Sequence, residues 1–372
     1  MDQTAPPDPP EPAGGPFGVH LTRTEENVAE VDALAALLSE HGHSTGSGRP
    51  GGRVGMSGVL GDLDRRMRRT YVPWPRMLGL AVDRALTWER RDRRDLRWYP
   101  QGISTSVRTD VERDVLVTSW YSKKGEGSRV TFLDLEAKRY RHVLLVEPTP
   151  ADPSKGPGAT AGFRPLKAHA GGIVWHGPYL HVAATGRGFL TCRVDDVMRV
   201  PAAAGLATYG HDYVLPVRFA YRAASDEGVT RLRFSFMTLD RSTDPPSLVV
   251  GEYGNSKQTR RLARFPTDPA TGLLSTGEDG VSRPVLDGED GLARMQGTAV
   301  VDGTYFVTSS HGTSYGSMHV GRPGAFRTRR WATPPGPEDL VYWPETDLLW
   351  SLSEHPGWRW VFAMRRSGLL DG

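Results

Sequence analysis

Two carboxylic acids, Glu338 and Glu354, two imidazoles, His169 and His311, and three side chains able to grip a polarised oxygen, Gln101, Arg233 and Gln296, recur at matching places along this 372-residue sequence. In that combination a carboxylate takes a proton, an imidazole returns one, and the amides and guanidinium hold an oxyanion or carbonyl. This is general acid–base chemistry on a small molecule. A Glu338 carboxylate beside Arg233 is expected to stay ionised and to act as the base. Glu338 also has a purely structural alternative as the neutralising partner of Arg233. Tyr99, Trp120 and Tyr253 supply flat rings for the walls of such a pocket, although for Trp120 packing inside the protein is the competing role. Glu354 and His355 are neighbours whose side chains point to opposite faces of a strand, and Glu354 is the one expected to face the site. The scheme fits a lyase, an isomerase or cyclase, and a hydrolase alike. The alternative is a non-catalytic module that binds a ligand or another protein. No cofactor is expected; a divalent metal held by His169, His311 and a glutamate is the lesser option.

These residues are grouped by an internal repeat. Four segments place a small or amide residue before Gly or Asp and then run into a strand: Pro100-Gln101-Gly102-Ile103, Ala170-Gly171-Gly172-Ile173, Met295-Gln296-Gly297-Thr298 and Pro337-Glu338-Asp339-Leu340. A weaker copy, Leu232-Arg233-Phe234-Ser235, falls between the second and third. Each is followed by two more β-branched or aromatic runs, and the copies are spaced by roughly 40–70 residues, which suits units of three or four strands. The last unit runs out of chain, and Arg84 to Glu89 can supply its missing outer strand. The expected fold is therefore all-β: a five-bladed β-propeller closed by an N-terminal strand, with six blades as the alternative if residues 195–222 hide a further unit. In such a ring the residue before each alignment point, Gln101, Gly171, Arg233, Gln296 and Glu338, lines the central channel.

The segments Tyr99-Pro100-Gln101-Gly102-Ile103, His169 to Trp175 and Pro337 to Trp343 resemble a family of five-bladed β-propeller proteins of high-GC bacteria, often labelled secreted. The resemblance covers roughly residues 84–366 and implies the architecture alone, because propellers carry many chemistries.

Composition sets the remaining bounds. Forty-six basic and 43 acidic residues leave a net charge of +3, so a nucleic-acid partner is not expected. Neither is a membrane partner, since no apolar run is long enough to span a bilayer. Met1-Asp2-Gln3-Thr4 lacks the features of a signal peptide, so the expected location is the cytoplasm. The 43 Gly, 29 Pro and 10 Trp fit many turns with large anchors between them. The single cysteine, Cys192, excludes an internal disulfide and reads as a small core residue. Residues 1–80 read as a flexible arm with a Pro-rich tract at 5–12, one amphipathic helix over 24–41 and a Gly/Ser linker from Ser44 to Gly55. That arm is the surface expected to contact another protein; residues 81–372 form the propeller.

Overall fold

The structure is a computed structural model that describes residues 18–44, 50–71, 78–151, 161–288 and 291–371. The Pro-rich tract at 5–12 lies outside the described residues. Turn-bounded β-branched and aromatic runs become antiparallel meanders of four strands. Blade one comprises Trp98–Thr105, Val115–Ser122, Ser128–Asp134 and Arg139–Thr149. Blade two comprises Ile173–His176, Tyr179–Ala183, Gly188–Arg193 and the long strand Tyr213–Ser225. Blade three comprises Phe236–Asp240, Ser247–Gly251, Leu262–Pro266 and Val285–Gly288. Blade four comprises Met295–Val301, Thr304–His311, Ser314–Arg322 and Ala325–Pro335. In blade five, Pro337–Trp343, Leu348–Ser353 and Trp360–Arg365 are completed by Val82–Thr87 from the N-terminal side, in the register Phe362 to Ala85. The first strands touch in cyclic order, each meeting the next and the fifth meeting the first, which closes a ring. Residues 194–212 hold two single 3₁₀ turns and a two-residue strand, so the stretch suspected of hiding a sixth unit is a connection.

Strand alternation sends successive side chains to opposite neighbours, and the apolar core is accordingly divided among the seams between blades. Val115, Val117 and Phe132 pack toward Trp175, Val182 and Leu215 of blade two. Leu116, Trp120 and Leu133 point the other way, toward Val341, Trp350 and Val361 of blade five. At three inner-rim positions the first strands approach so closely that there is no room for a side chain. A Cβ on Gly102 would lie 2.8 Å from Ile173 N, one on Gly172 would lie 2.2 Å from Met237 N, and one on Gly297 would lie 2.3 Å from Asp339 Cα. The repeated glycine is therefore a requirement of ring closure.

The N-terminal segment differs from the arm expected of it. Val19–Arg23 pairs antiparallel with the outer strand of blade two. The helix, Val28–Ser44, buries Val31, Leu34, Ala35 and Leu38 in the cluster that holds Met198, Val200 and Val214. The apolar stripe offered to a partner is thus taken by the chain's own propeller. Ionic contacts fix the docking: Arg53 bonds both Asp32 of the helix and Asp196, and Asp196 also accepts from Arg218. The stretch read as a linker contributes Gly52–Arg53, paired with Met198–Arg199, and the helix Gly55–Leu60, which buries Met56, Val59 and Leu60. No described helix is long and apolar enough to cross a membrane.

Candidate functional site

At the channel mouth, blades five and one bring several polar groups together. The segment Pro337–Trp343 carries Glu338 and Asp339 into the ring, Asp339 at the place where blades one, two and four have Gly, and both are buried. Asp339 plugs the channel: its carboxyl accepts N–H groups from Leu340, Ile103 of blade one and Ile173 of blade two. Burial still outweighs those bonds and pushes the group well above the usual carboxyl range, and one of its oxygens, Oδ1, is buried with no partner.

Glu338 sits one residue outward from the plug. Among the described residues its carboxyl has no hydrogen-bond partner, and only its backbone oxygen is engaged, by Thr308 Oγ1 at 2.8 Å and Ser351 Oγ at 3.4 Å. Burial first, then Glu354 and Asp339, push its pKa well above the ordinary value. This reverses the role expected from the sequence, because the arginine meant to keep it ionised is elsewhere. Arg233 donates to the carbonyls of Tyr253, at 3.2 Å, and Thr259, at 2.6 Å. The ion pair between Glu338 and Arg233 does not exist.

The reason is a shift of register in the weakest repeat. The first strand of blade three starts at Phe236, and Gly172 abuts Phe236 and Met237, so Phe236, not Phe234, corresponds to the glycines. Phe234 instead bridges to Thr185 and packs between blades two and three. The residue that completes the ring is Ser235.

Around Glu338 stand Gln101, Glu354, Tyr121 and His169. Gln101 Nε2 donates to Pro100 O at 2.8 Å and to Glu354 Oε2 at 3.3 Å, tying blade one to blade five. His355 bridges two neighbours, with Nε2 3.0 Å from Gly312 O and Nδ1 3.7 Å from Glu354 Oε1. Tyr121 has its phenol pushed up to about 12 by burial, then by Glu354 and Glu338, so it keeps its proton. Its ring lies 4.5 Å from that of His169, whose pKa is lowered by desolvation and then by Lys123. Lys123 Nζ rests 3.5 Å from the centre of the Tyr99 ring. The group therefore brings together a protonated carboxyl, a phenol, an amide and a neutral imidazole, all able to bond hydroxyls.

The other candidates lie apart from this group. Trp120 has 0% exposure and meets Trp88 edge-on at 4.9 Å, while its indole N–H donates to Thr118 Oγ1 at 3.0 Å. It belongs to the seam with blade five, and strand alternation presents the adjacent Tyr121 to the channel in its place. Tyr253 is 44% exposed on a loop of blade three, and Gln296 is half-buried at a bulge where blade four joins the ring. His311 bonds Ser317 Oγ at 2.9 Å on the sheet of blade four. His169 and His311 thus do not converge, and among the described residues no group of three or more His, Cys, Asp or Glu is placed to hold a metal ion.

Sequence reasoning missed Tyr121, Lys123, Asp339 and Arg359. The first two adjoin Trp120, Tyr121 in the same strand and Lys123 just past its end. Asp339 served only to align the repeats, although a carboxyl in a glycine's place is itself a signal. A cavity of about 720 Å³ lies away from the mouth, on the face where Asp114 and Glu136 of blade one meet Trp343 and Thr346 of blade five.

No protein-family model and no curated protein matches this chain. Among solved structures it is similar to the PQQ-bound aldose sugar dehydrogenase of Streptomyces coelicolor, at 12% identity over 78% of this chain and 80% of that one, with a TM-score of 0.34. The β-propeller domain of Cps50 (Swd1) from Myceliophteria thermophila aligns at 12% identity over 71% and 83%, with a TM-score of 0.37. A Bacteroides thetaiotaomicron protein of unknown function aligns at 13% over 72% and 69%, with a TM-score of 0.33. At these values none of the three bears on chemistry, and the propeller fold rests on the strand pairing described above.

Proposed function

We propose that the channel mouth binds a small, uncharged, hydroxyl-bearing molecule and that Glu338 is its proton donor. The observation that carries this reading is the buried Glu338 carboxyl, with no protein hydrogen-bond partner among the described residues and an environment that keeps it protonated. Such a group needs a partner, which solvent, a ligand hydroxyl or a leaving oxygen can supply. Two nearby carboxyls with unequal surroundings divide naturally into an acid and its partner. Glu338 gives a proton to the ligand oxygen, Glu354 faces it across the pocket, and Gln101 and Tyr121 fix the ligand's orientation. This chemistry serves a lyase, an isomerase or cyclase, or a hydrolase.

The test is a thermal-shift screen of hexoses, inositols, sugar lactones and amino sugars, with each hit followed by NMR for conversion. The proposal expects Glu338→Gln to bind a hit within about threefold of wild type but not convert it, and Tyr121→Phe to weaken binding about tenfold. Binding without conversion by wild type would establish the non-catalytic module instead. Hits whose affinity ignores Glu338→Ala, Tyr121→Phe and Gln101→Ala would remove the site altogether.

A further inference from the structure

Blade four carries a second constellation, which the channel mouth does not use. On the face of its sheet away from Glu338, Ser309 Oγ lies 2.8 Å from His319 Nε2, and His319 Nδ1 lies 2.8 Å from Thr328 Oγ1. Beside this line His311 and Ser317 form their own pair. Burial, then His311, pulls His319 down to about 4, so its ring is neutral and both nitrogens are engaged by hydroxyls. The pairs border a cavity of about 340 Å³ whose wall also includes Tyr315, Arg330 and Trp331.

The backbone at that wall is unusual. Met318 pairs with Arg329 and Gly316 with Thr333, so residues 330–332 bulge opposite Ser317. Trp331 has φ +56°, a left-handed conformation that large side chains avoid. The bulge is anchored through main-chain atoms, since Leu80 N–H donates to Trp331 O at 2.8 Å and Ala81 N–H to Ala332 O at 3.0 Å. Any residue could supply those carbonyls, and glycine would do so without strain. A tryptophan at this position, 62% exposed and lining a cavity, has no packing role to explain it. Strain of this kind gathers where a side chain must be aimed at something. Next to it Arg330 is exposed and has no carboxylate within ion-pair distance among the described residues.

We propose that this cavity is a binding site for a planar aromatic anion. The Trp331 indole stacks on the ring, Arg330 pairs with a phosphate or carboxylate, and the Ser317 and His311 pair bonds the ligand's polar edge. The volume suits a mononucleotide-sized or smaller molecule.

Isothermal titration of the full chain with AMP and with indole-3-carboxylate tests it, using adenosine, indole and inorganic phosphate as single-feature controls. At least one anion should bind at one site, at least tenfold more tightly than its uncharged counterpart and than phosphate. Trp331→Gly, which relieves the backbone strain and so should fold, and Arg330→Gln should each weaken that binding at least tenfold, with an unchanged circular dichroism melt showing that the fold survives. No saturable binding of either anion up to several millimolar, or affinity unchanged in both variants, would overturn the proposal.

Discussion

The Arg359 guanidinium of blade five lies 4.9 Å from the centre of the Tyr99 ring on blade one. It is one rung of a ladder that alternates cation and ring across the closing seam. Arg129 lies 4.5 Å from Trp98 and 4.8 Å from Trp120, Arg359 lies 5.7 Å from Trp120, and Lys123 caps Tyr99. Arg359 also donates to Glu354 O and Asp92 O, both at 2.7 Å, so it fixes the strand that presents Glu354. Replacing it with methionine leaves buried carbonyls unpaired and removes the cation, at a cost of about 2–4 kcal/mol. Urea unfolding with an unchanged m-value measures this, and a loss below about 1 kcal/mol would show that the ladder is ornamental. Lysine should rescue little, because one ammonium lacks the planar fork that reaches both carbonyls.

The raised pKa of Glu338 has a definite sign in stability. The folded chain holds that proton more tightly than the unfolded chain, so the contribution is greatest below the ordinary Glu value of 4.5 and falls as pH rises, until the folded group ionises. Glu338→Gln cannot ionise. Its stability relative to wild type should climb with pH by up to about 1.4 kcal/mol per unit within that window. Denaturation at pH 4, 6 and 8 reads this directly, and parallel profiles for the two proteins would mean that Glu338 is ionised like a surface residue.

Asp339 accepts the Ile103 N–H of blade one at 3.2 Å, with the N–H groups of Leu340 and Ile173 beside it, so the volume it fills matters less than its oxygen. Asp339→Ala should destabilise by about 1–3 kcal/mol through orphaned donors. Asp339→Asn keeps an acceptor and mimics the protonated acid, and it should recover most of that loss. Equal thermal midpoints for the two variants would contradict the plug.

The inner glycines offer a sharper contrast. Gly172→Ala drives a Cβ into the backbone of blade three and should cost about 3 kcal/mol or more, or prevent folding. Gly186→Ala, in a turn with open space around the new atom, should stay within about 0.5 kcal/mol of wild type. Comparable losses at both positions, measured by chemical denaturation, would rule out close approach as the reason for the repeat.

The architecture was legible because most inner strands meet at glycine and that need leaves a periodic mark, and because Arg84 to Glu89 reads as a strand ahead of the first repeat while the last repeat lacks its outer one. What escaped notice depended on contacts that no local pattern encodes. Blade three has Phe236 at the glycine position, so the motif faded there and the register slipped by two residues, which placed Arg233 in the ring. With that cation removed, Glu338 changes from base to acid, since its protonation follows its neighbours. Trp120 and Tyr121 are adjacent and equally aromatic, and only the orientation of the strand decides which of them enters the seam. The helix at Val28–Ser44 shows its apolar stripe in the sequence, but nothing in that stripe says that the matching surface belongs to the same chain.

The fourth strand of blade five comes from far upstream in the chain: Thr87 Oγ1 donates to Arg359 O across 272 residues, and Arg68–Thr70 pairs along its other edge. During synthesis Val82–Thr87 leaves the ribosome well before Trp360–Arg365 and waits, with Arg68–Thr70 on one edge and the other edge unpaired, until that strand has been made. Bare edges of this kind invite pairing between chains. Nascent chains stalled before residue 360 should then be the form of this protein that most needs chaperones. Moving Val82–Thr87 to follow Arg365 by circular permutation should shorten that exposure and raise the yield of soluble protein.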